Sequence, residues 1–202
     1  GGIFSQKVQG VQGLNEKWGL PKADQGTGMT PDEAYALRFP GAAGMARTGD
    51  VTVEWWQKTT DAQGGYTGVY GTTNQAQWTA NAWHVGYHNS AIIYGRATPG
   101  LTTTFSFSSS GHDGNWHHMA FVRQSGTLRA YMDGVASSTT ASDSTTLGNA
   151  GWNNIIGAQE PGGSHNFVGT LDNFVFSGTA KYPNGTTFAV PTAQIAPGSP
   201  AS

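Results

Sequence analysis

The 202-residue chain has no cysteine, and only 11% of its residues are charged. The first absence removes disulfides and thiolate metal sites, so that outside a cell such a chain has to rely on core packing and on assembly with partners. The second removes broad charged surfaces. Ten Lys and Arg stand scattered against twelve Asp and Glu, for a formal charge of −2. That balance gives no electrostatic footing for nucleic acid or an acidic membrane surface, both of which require clustered basic residues. No apolar run reaches the length of a bilayer-spanning helix, and the first residues lack the basic-then-apolar order of a signal peptide. Membrane insertion is therefore not expected. Repeats of solenoid length are also missing, which argues against a propeller or β-helix.

What the chain has in quantity is glycine, thirty residues of it, with many Thr and Ser, as suits short strands joined by turns. Strands are predicted at 35–39, 51–58, 66–72, 82–87, 91–94, 102–107, 116–124, 127–132, 135–139, 153–156 and 167–177, a spacing typical of an all-β sandwich in one domain. From Trp116 the side chains alternate, with Trp116, His118, Ala120 and Val122 on one face and His117, Met119, Phe121 and Arg123 on the other. Neither face is wholly polar, which predicts a central strand. Ser125-Gly126 and Asp133-Gly134 offer the positive-φ residues of two tight hairpins in series. The hydroxyl-rich Thr102–Phe107 reads as an exposed or an edge strand.

These motifs carry a resemblance. Trp116-His-His-Met-Ala-Phe-Val-Arg through Tyr131-Met-Asp-Gly resembles the signature of laminin-G-like modules of the concanavalin A-like superfamily. Ala36-Leu-Arg-Phe-Pro-Gly, Asp50-Val-Thr-Val-Glu-Trp-Trp-Gln-Lys, Ile155-Ile-Gly-Ala, Phe167–Phe176 and Gly178-Thr-Ala-Lys-Tyr follow in the family's order. The resemblance implies two antiparallel sheets packed as a jelly roll over about Tyr35 to Pro191. The run Tyr182-Pro-Asn-Gly-Thr-Thr-Phe-Ala-Val-Pro is similar to an ending seen in phage structural proteins. By that resemblance the chain is expected to be a non-enzymatic structural or binding module at a virion surface or otherwise extracellular. It would serve in capsid decoration or in a tail fibre, with other virion proteins or copies of itself as partners, and with surface glycan as a possible ligand. A free carbohydrate-binding lectin-like protein is the alternative, and a glycoside hydrolase a third.

Residues 1–33 show no sustained periodicity and read either as a first strand or as an arm that docks on a neighbouring subunit. Within them Thr30-Pro-Asp-Glu has the cap of a short helical turn. Residues 34–191 form the sandwich. Residues 192–202 are a Pro-, Ala- and Ser-rich tail, expected to be extended.

A glycosidase of this fold needs two carboxylates across the sugar, and the usual Glu-x-Asp-x-x-Glu strand is missing. Asp50 and Glu54 share parity, but four strand residues set them roughly 13 Å apart. No catalytic residue is therefore assigned. His84 and His88 lie four apart in a strand, where only helical spacing would bring them to one metal ion, and His117 and His118 point to opposite faces. No metal site is assigned either. A weak calcium site is the one cofactor considered, drawing on Asp113, Asn115, Asn149, Asn153 and Asn154, because related modules bind the ion at a sandwich rim. For glycan, ring platforms edged by short polar groups are the relevant signal. Trp55, Trp56 and Trp116 read as core, whereas Trp78, Trp83, Tyr87 and Trp152 lie near polar turns. These four, with Asn154 and His165 as hydrogen-bonding groups, are the candidate ligand-binding residues.

Overall fold

The computed structural model describes residues 37–40, 46–73, 81–97, 100–108, 111–148, 152–159 and 165–191. The predicted N-terminal arm and helical turn, Trp78, Asn149 and the 192–202 tail lie outside them. Within the described residues twelve strands form two six-stranded antiparallel sheets. The first runs β1 (Leu37–Pro40), β11 (Asn153–Ile156), β3 (Tyr66–Thr73), β4 (Trp83–His88), β5 (Ala91–Arg96) and β6 (Leu101–Phe105). The second runs β10 (Ala141–Ser142), β8 (Thr127–Met132), β7 (Trp116–Gln124), β2 (Val51–Lys58) and β12 (Thr170–Ser177), with β9 (Val135–Ala136) paired on β8. The central placement of β7 and the edge position of β6 follow the sequence pattern. The last strand starts at Thr170 rather than Phe167, because Gly169 turns through a φ of 149° in the space beside the Lys58 carbonyl.

The hairpins are where the turn residues put them. Ser125 and Gly126 have φ of 48° and 80°, and Asp133 and Gly134 have 49° and 78°, the two consecutive positive values of a type I′ turn that matches strand twist. Alternation then sorts the side chains. Val51, Val53, Trp55, Met119, Phe121, Leu128 and Ala130 face the first sheet, whose inner face supplies Tyr70, Trp83, Val85, Tyr87, Tyr94 and Phe105. Trp83 is fully buried, with Tyr70 at 5.1 Å, Tyr94 at 6.1 Å and Phe121 at 6.2 Å between ring centroids, so this aromatic cluster joins the two sheets.

Core tyrosines bring hydroxyls that need partners. Tyr87 donates to Gln57 Oε1 at 2.7 Å, Tyr70 to Asn154 Oδ1 at 2.6 Å and Tyr94 to Asp143 Oδ2 at 2.6 Å. At the end of the sandwich where β7 gives way to β8, the buried Arg123 guanidinium donates to the carbonyls of Arg47, Gly49 and Thr145.

The outer faces are covered differently. On the first sheet the Ala158–Gln159 backbone crosses Gly68 so closely that a Cβ there would sit 2.0 Å from the Gln159 nitrogen. On the second sheet a strap from Thr179 to Pro191 lies over Ala120, Val122 and Tyr131, with Ala180, Tyr182 and Phe188 packed against them. Phe188 stacks on Tyr182 at 3.7 Å, and its N–H donates to the Gly134 carbonyl at 3.1 Å. The strap is anchored by Glu54, which is 4% exposed. Lys181 Nζ pairs with Glu54 Oε1, Tyr182 donates to Oε2 at 2.5 Å, and His118 Nε2 lies 3.5 Å from the same oxygen.

Burial pushes the Glu54 carboxyl up, but hydrogen bonds from His118, Lys181 and Tyr182 outweigh it and hold the pKa at about 2 instead of 4.5. A depressed carboxylate adds stability that is complete above its unfolded pKa and lost as pH falls through the folded one. Urea unfolding of the wild type should therefore weaken between about pH 5 and pH 2, by on the order of 3 kcal/mol. Glu54→Gln should lose a similar amount at pH 7 and fall less steeply than the wild type across that acid window, the slope that is left belonging to Asp113 and Asp143, which are also held low. A wild-type midpoint that does not move there contradicts the anchor.

Candidate functional site

The end of the sandwich opposite Arg123 gathers the β8–β9 turn, the loop before β7 and the residues after β6. Between the last of these and the β8–β9 hairpin lies a groove of about 550 Å³, lined by Ser106, Phe107, Ser108, Met132, Asp133, Val135, Ala136 and Ser138. Its position follows from the strand ends. Phe105 is buried and Phe107 is only half-buried, because the chain leaves β6 at the open edge of the first sheet. Val135 is 53% exposed beside buried Met132, its partner across the β8–β9 hairpin. The Ser138 N–H donates to the Ser106 carbonyl at 3.3 Å and ties the two walls together. The groove therefore has an apolar floor of Phe107, Met132 and Val135, hydroxyls at Ser106, Ser108 and Ser138, and one carboxylate, Asp133.

Asp133 is held on both oxygens. Oδ1 accepts from the His118 N–H at 2.9 Å and Oδ2 from His117 Nδ1 at 2.7 Å. The other ring nitrogen, Nε2, reaches Asp113 Oδ1 at 2.9 Å. Asp113 also accepts from the Asn115 N–H and from Asn115 Nδ2, at 2.8 Å and 3.0 Å. The Asn115 N–H first, and the His117 ring after it, keep the Asp113 carboxyl well below the usual carboxylate range.

The residues singled out from sequence are dispersed. Trp83 and Tyr87 are 0% and 1% exposed and belong to the core, so they are not a sugar platform. Their polar neighbours mislead because His84 and Gly86 alternate with them onto the outer face. Asn154 is 1% exposed and spends its oxygen on Tyr70. Trp152 is half-buried just before β11, beside the far end of β3, while the His165 carbonyl accepts from the Gly68 N–H near the start of β3. About five strand residues, roughly 15 Å, separate the two. Trp152 and His165 therefore form no joint site, and Trp78 lies outside the described residues.

The calcium candidates divide likewise. Asn115 binds Asp113, and Asp113 binds His117, at the groove end, while Asn153 and Asn154 begin β11 at the other. Among the described residues no three His, Cys, Asp or Glu side chains converge as a metal cage. The two acids weighed for hydrolysis are also in structural use. Asp50 Oδ1 accepts from the Ser125 N–H at 2.7 Å, and Glu54 lies beneath the strap.

Sequence reasoning missed the groove, whose aromatic, Phe107, reads as the tail of a strand. It also placed Trp56 and Trp116 in the core with Trp55. Only Trp55 is there. The other two are half-buried and alternate onto the outer face of the second sheet, in the rows beside exposed Lys58, with the Trp56 ring edge-on to His118 at 5.5 Å.

Thermal melts separate core from surface rings. Trp83→Ala should cost about 3–5 kcal/mol, the range for deleting a fully buried aromatic, whereas Trp152→Ala should cost less than about 1.5 kcal/mol. Equal losses contradict this placement.

The family model of the concanavalin A-like lectin/glucanases superfamily matches residues 32–184. No curated protein sequence matches the chain. Among solved structures, mouse laminin α1 domains LG4-5 superpose with a TM-score of 0.53 at 14% identity, covering 79% of this chain and 44% of that one. The present chain thus spans less than half of that laminin fragment. The CBM40 of the Ruminococcus gnavus IT-sialidase, bound to α2,3 sialyllactose, gives 0.53 at 13% identity over 71% of this chain and 92% of its own. Domain 4 of AbnA, an extracellular arabinanase from Geobacillus stearothermophilus in complex with arabinotriose, gives 0.54 at 15% identity over 72% and 67%. At such identities the likeness shows the fold, and the fold alone. With two six-stranded antiparallel sheets in the observed order and a family match over residues 32–184, the chain belongs to the concanavalin A-like lectin/glucanase superfamily.

Proposed function

We propose that the chain is a non-enzymatic binding module that holds glycan in the rim groove, and that it does so at the surface of a virus particle. The observation that carries the glycan reading is the groove's composition. Sugars present flat apolar C–H faces and a fringe of hydroxyls, and they are held by rings and aliphatic side chains edged with short polar groups. Phe107 and Val135 supply the first kind of contact. Asp133, Ser106, Ser108 and Ser138 supply the second. Two fold neighbours, the CBM40 and the AbnA domain, were solved with oligosaccharides bound, which supports this reading by analogy.

The non-enzymatic reading is supported by the service of Asp50 and Glu54. A glycosidase acid needs a raised pKa, and Glu54 has the reverse. The virion reading is supported by the ending Tyr182–Pro191, whose Tyr and Phe are the strap's two stacked rings. Partners on the particle would be other virion proteins or further copies of this chain. Mass spectrometry of purified particles tests that placement, and a chain found only as free protein removes it.

The groove is tested by a glycan array, followed by titration of the best oligosaccharide with calcium and with chelator, where equal affinity is expected because Asp113 and Asn115 lie at the opposite end of the sandwich from Asn153 and Asn154. Phe107→Ala and Asp133→Ala should each weaken binding about tenfold or more, the effect of one lost hydrogen bond or stacking contact, while Trp56→Ala leaves it within about twofold. Loss on Trp56→Ala with binding intact in the other two moves the site to the outer face and overturns the proposal.

A further inference from the structure

His117 bridges carboxylates from two different segments. Asp113 comes from the loop before β7, and Asp133 from the β8–β9 turn. The ring is 13% exposed and the two carboxylates 54% and 45%. Its nitrogens lie 2.7 Å and 2.9 Å from oxygens that can only accept. A neutral imidazole has one N–H and one lone pair, so it can satisfy one of these oxygens and must turn a lone pair on the other. Only the doubly protonated ring donates to both. The carboxylates themselves are fixed, Asp133 through its other oxygen by the His118 N–H and Asp113 on both oxygens by Asn115, so neither is free to turn away.

Asp133 is at once an end of this bridge and the carboxylate of the groove. We propose that His117, as an imidazolium, is the positioning residue of the groove: it fixes the Asp133 carboxylate and braces the loop before β7 against the β8–β9 turn, so that ligand affinity falls as pH rises through the titration of His117. This rests on the groove being the binding site.

The groups around His117 agree with that direction. From β2 the residue opposite it is Gln57, which is neutral. From the preceding loop come Asp113 and His112, and from the hairpin Asp133. Burial lowers the His117 pKa, but the hydrogen bonds and charges of Asp133 and Asp113 outweigh it, and the net shift is upward. A histidine raised in the folded state contributes its full stability below the unfolded pKa and loses it as pH climbs through the folded value. The brace is therefore complete in acid and released in alkali. His112 is shifted down, chiefly by burial, and stays neutral across the alkaline window, so it does not produce the same profile.

The test uses the full chain and needs no ligand for its first arm. Ring NMR of His117 should show it titrating above 6.5 with both nitrogens protonated below that point. Hydrogen exchange at the His118 amide and at Val135–Ser138, corrected for intrinsic base catalysis, should accelerate about tenfold as His117 loses its proton. In His117→Gln that exchange should be fast and flat with pH. Asp113→Asn removes one end of the bridge at an exposed position, and should move both the titration and the exchange step to lower pH even where His117→Gln folds poorly. A wild-type ring titrating at or below 6.5, or exchange at these amides that ignores its titration, overturns the proposal.

The second arm measures affinity against pH for α2,3 sialyllactose and arabinotriose. Wild-type affinity should fall about fivefold or more over the range in which His117 deprotonates, and the His117→Gln profile should be flat. Binding with an unchanged pH profile in His117→Gln refutes the positioning role while leaving the groove as the site. Failure of both sugars to bind, with the exchange step present, counts against the glycan reading and upholds the brace.

Discussion

The interaction on which the arrangement depends is the buried Glu54 carboxylate and its two ligands from the strap, Lys181 and Tyr182. Glu54 sits in the middle of β2, next to the central strand β7, on the face turned away from the core. A lone carboxylate at 4% exposure would lose most of its hydration, and the strap replaces that water with an ammonium and a phenol. The same contacts lay Ala180, Tyr182 and Phe188 over Ala120, Val122 and Tyr131, so a face that an isolated sandwich would leave wet becomes a second, smaller core. Electrostatic anchoring and apolar burial support each other here. The carboxylate fixes the strap's register, and the packed rings exclude water from the carboxylate.

Closing that face decides where a ligand can bind. On the first sheet the Ala158–Gln159 crossing occupies the surface above Gly68, and His84 and Ile93 are buried on the same side. Among the described residues the rim also stands open, and its two ends differ. One is sealed by polar satisfaction: Arg123 serves three carbonyls, and Asp143 gathers Tyr94, Arg96 and Thr145. The other is held by the His117 bridge between two exposed loops, with the groove beside it. The bridged end combines exposed apolar atoms, hydroxyls and a positioned carboxylate, which is the composition of a recognition surface.

Much of the sandwich was legible in the chain because a strand imposes period two on side chains and a type I′ turn demands positive φ. The run Trp116–Gln124 shows both, and its boundaries and those of Thr127–Met132 coincide with the observed strands. The site was less legible, for a physical reason. Whether a ring is platform or core depends on which sheet lies opposite, and a strand with mixed neighbours hides that. Trp83 and Tyr87 share their strand with His84 and Gly86 and lie near polar turns, yet they face the second sheet. Trp56 stands beside Trp55 and faces the other way. The strap was visible only as a motif, since Thr52 and Thr179 meet across 127 residues. The bridge of His117 could have been suspected from the hairpin turn at Asp133, which returns the chain beside the start of β7. Local spacing gives no such sign for Asp113.

The strap is part of the fold and not an appended tail. The most direct measurement compares the full chain with one ending at Gly178, by urea unfolding together with binding of a hydrophobic dye. Loss of Lys181, Tyr182 and Phe188 should lower the unfolding midpoint markedly and expose Ala120, Val122 and Tyr131, with strong dye binding under native conditions. A truncated chain with the same midpoint and no dye binding would show that the second sheet does not need the strap, and would contradict the account.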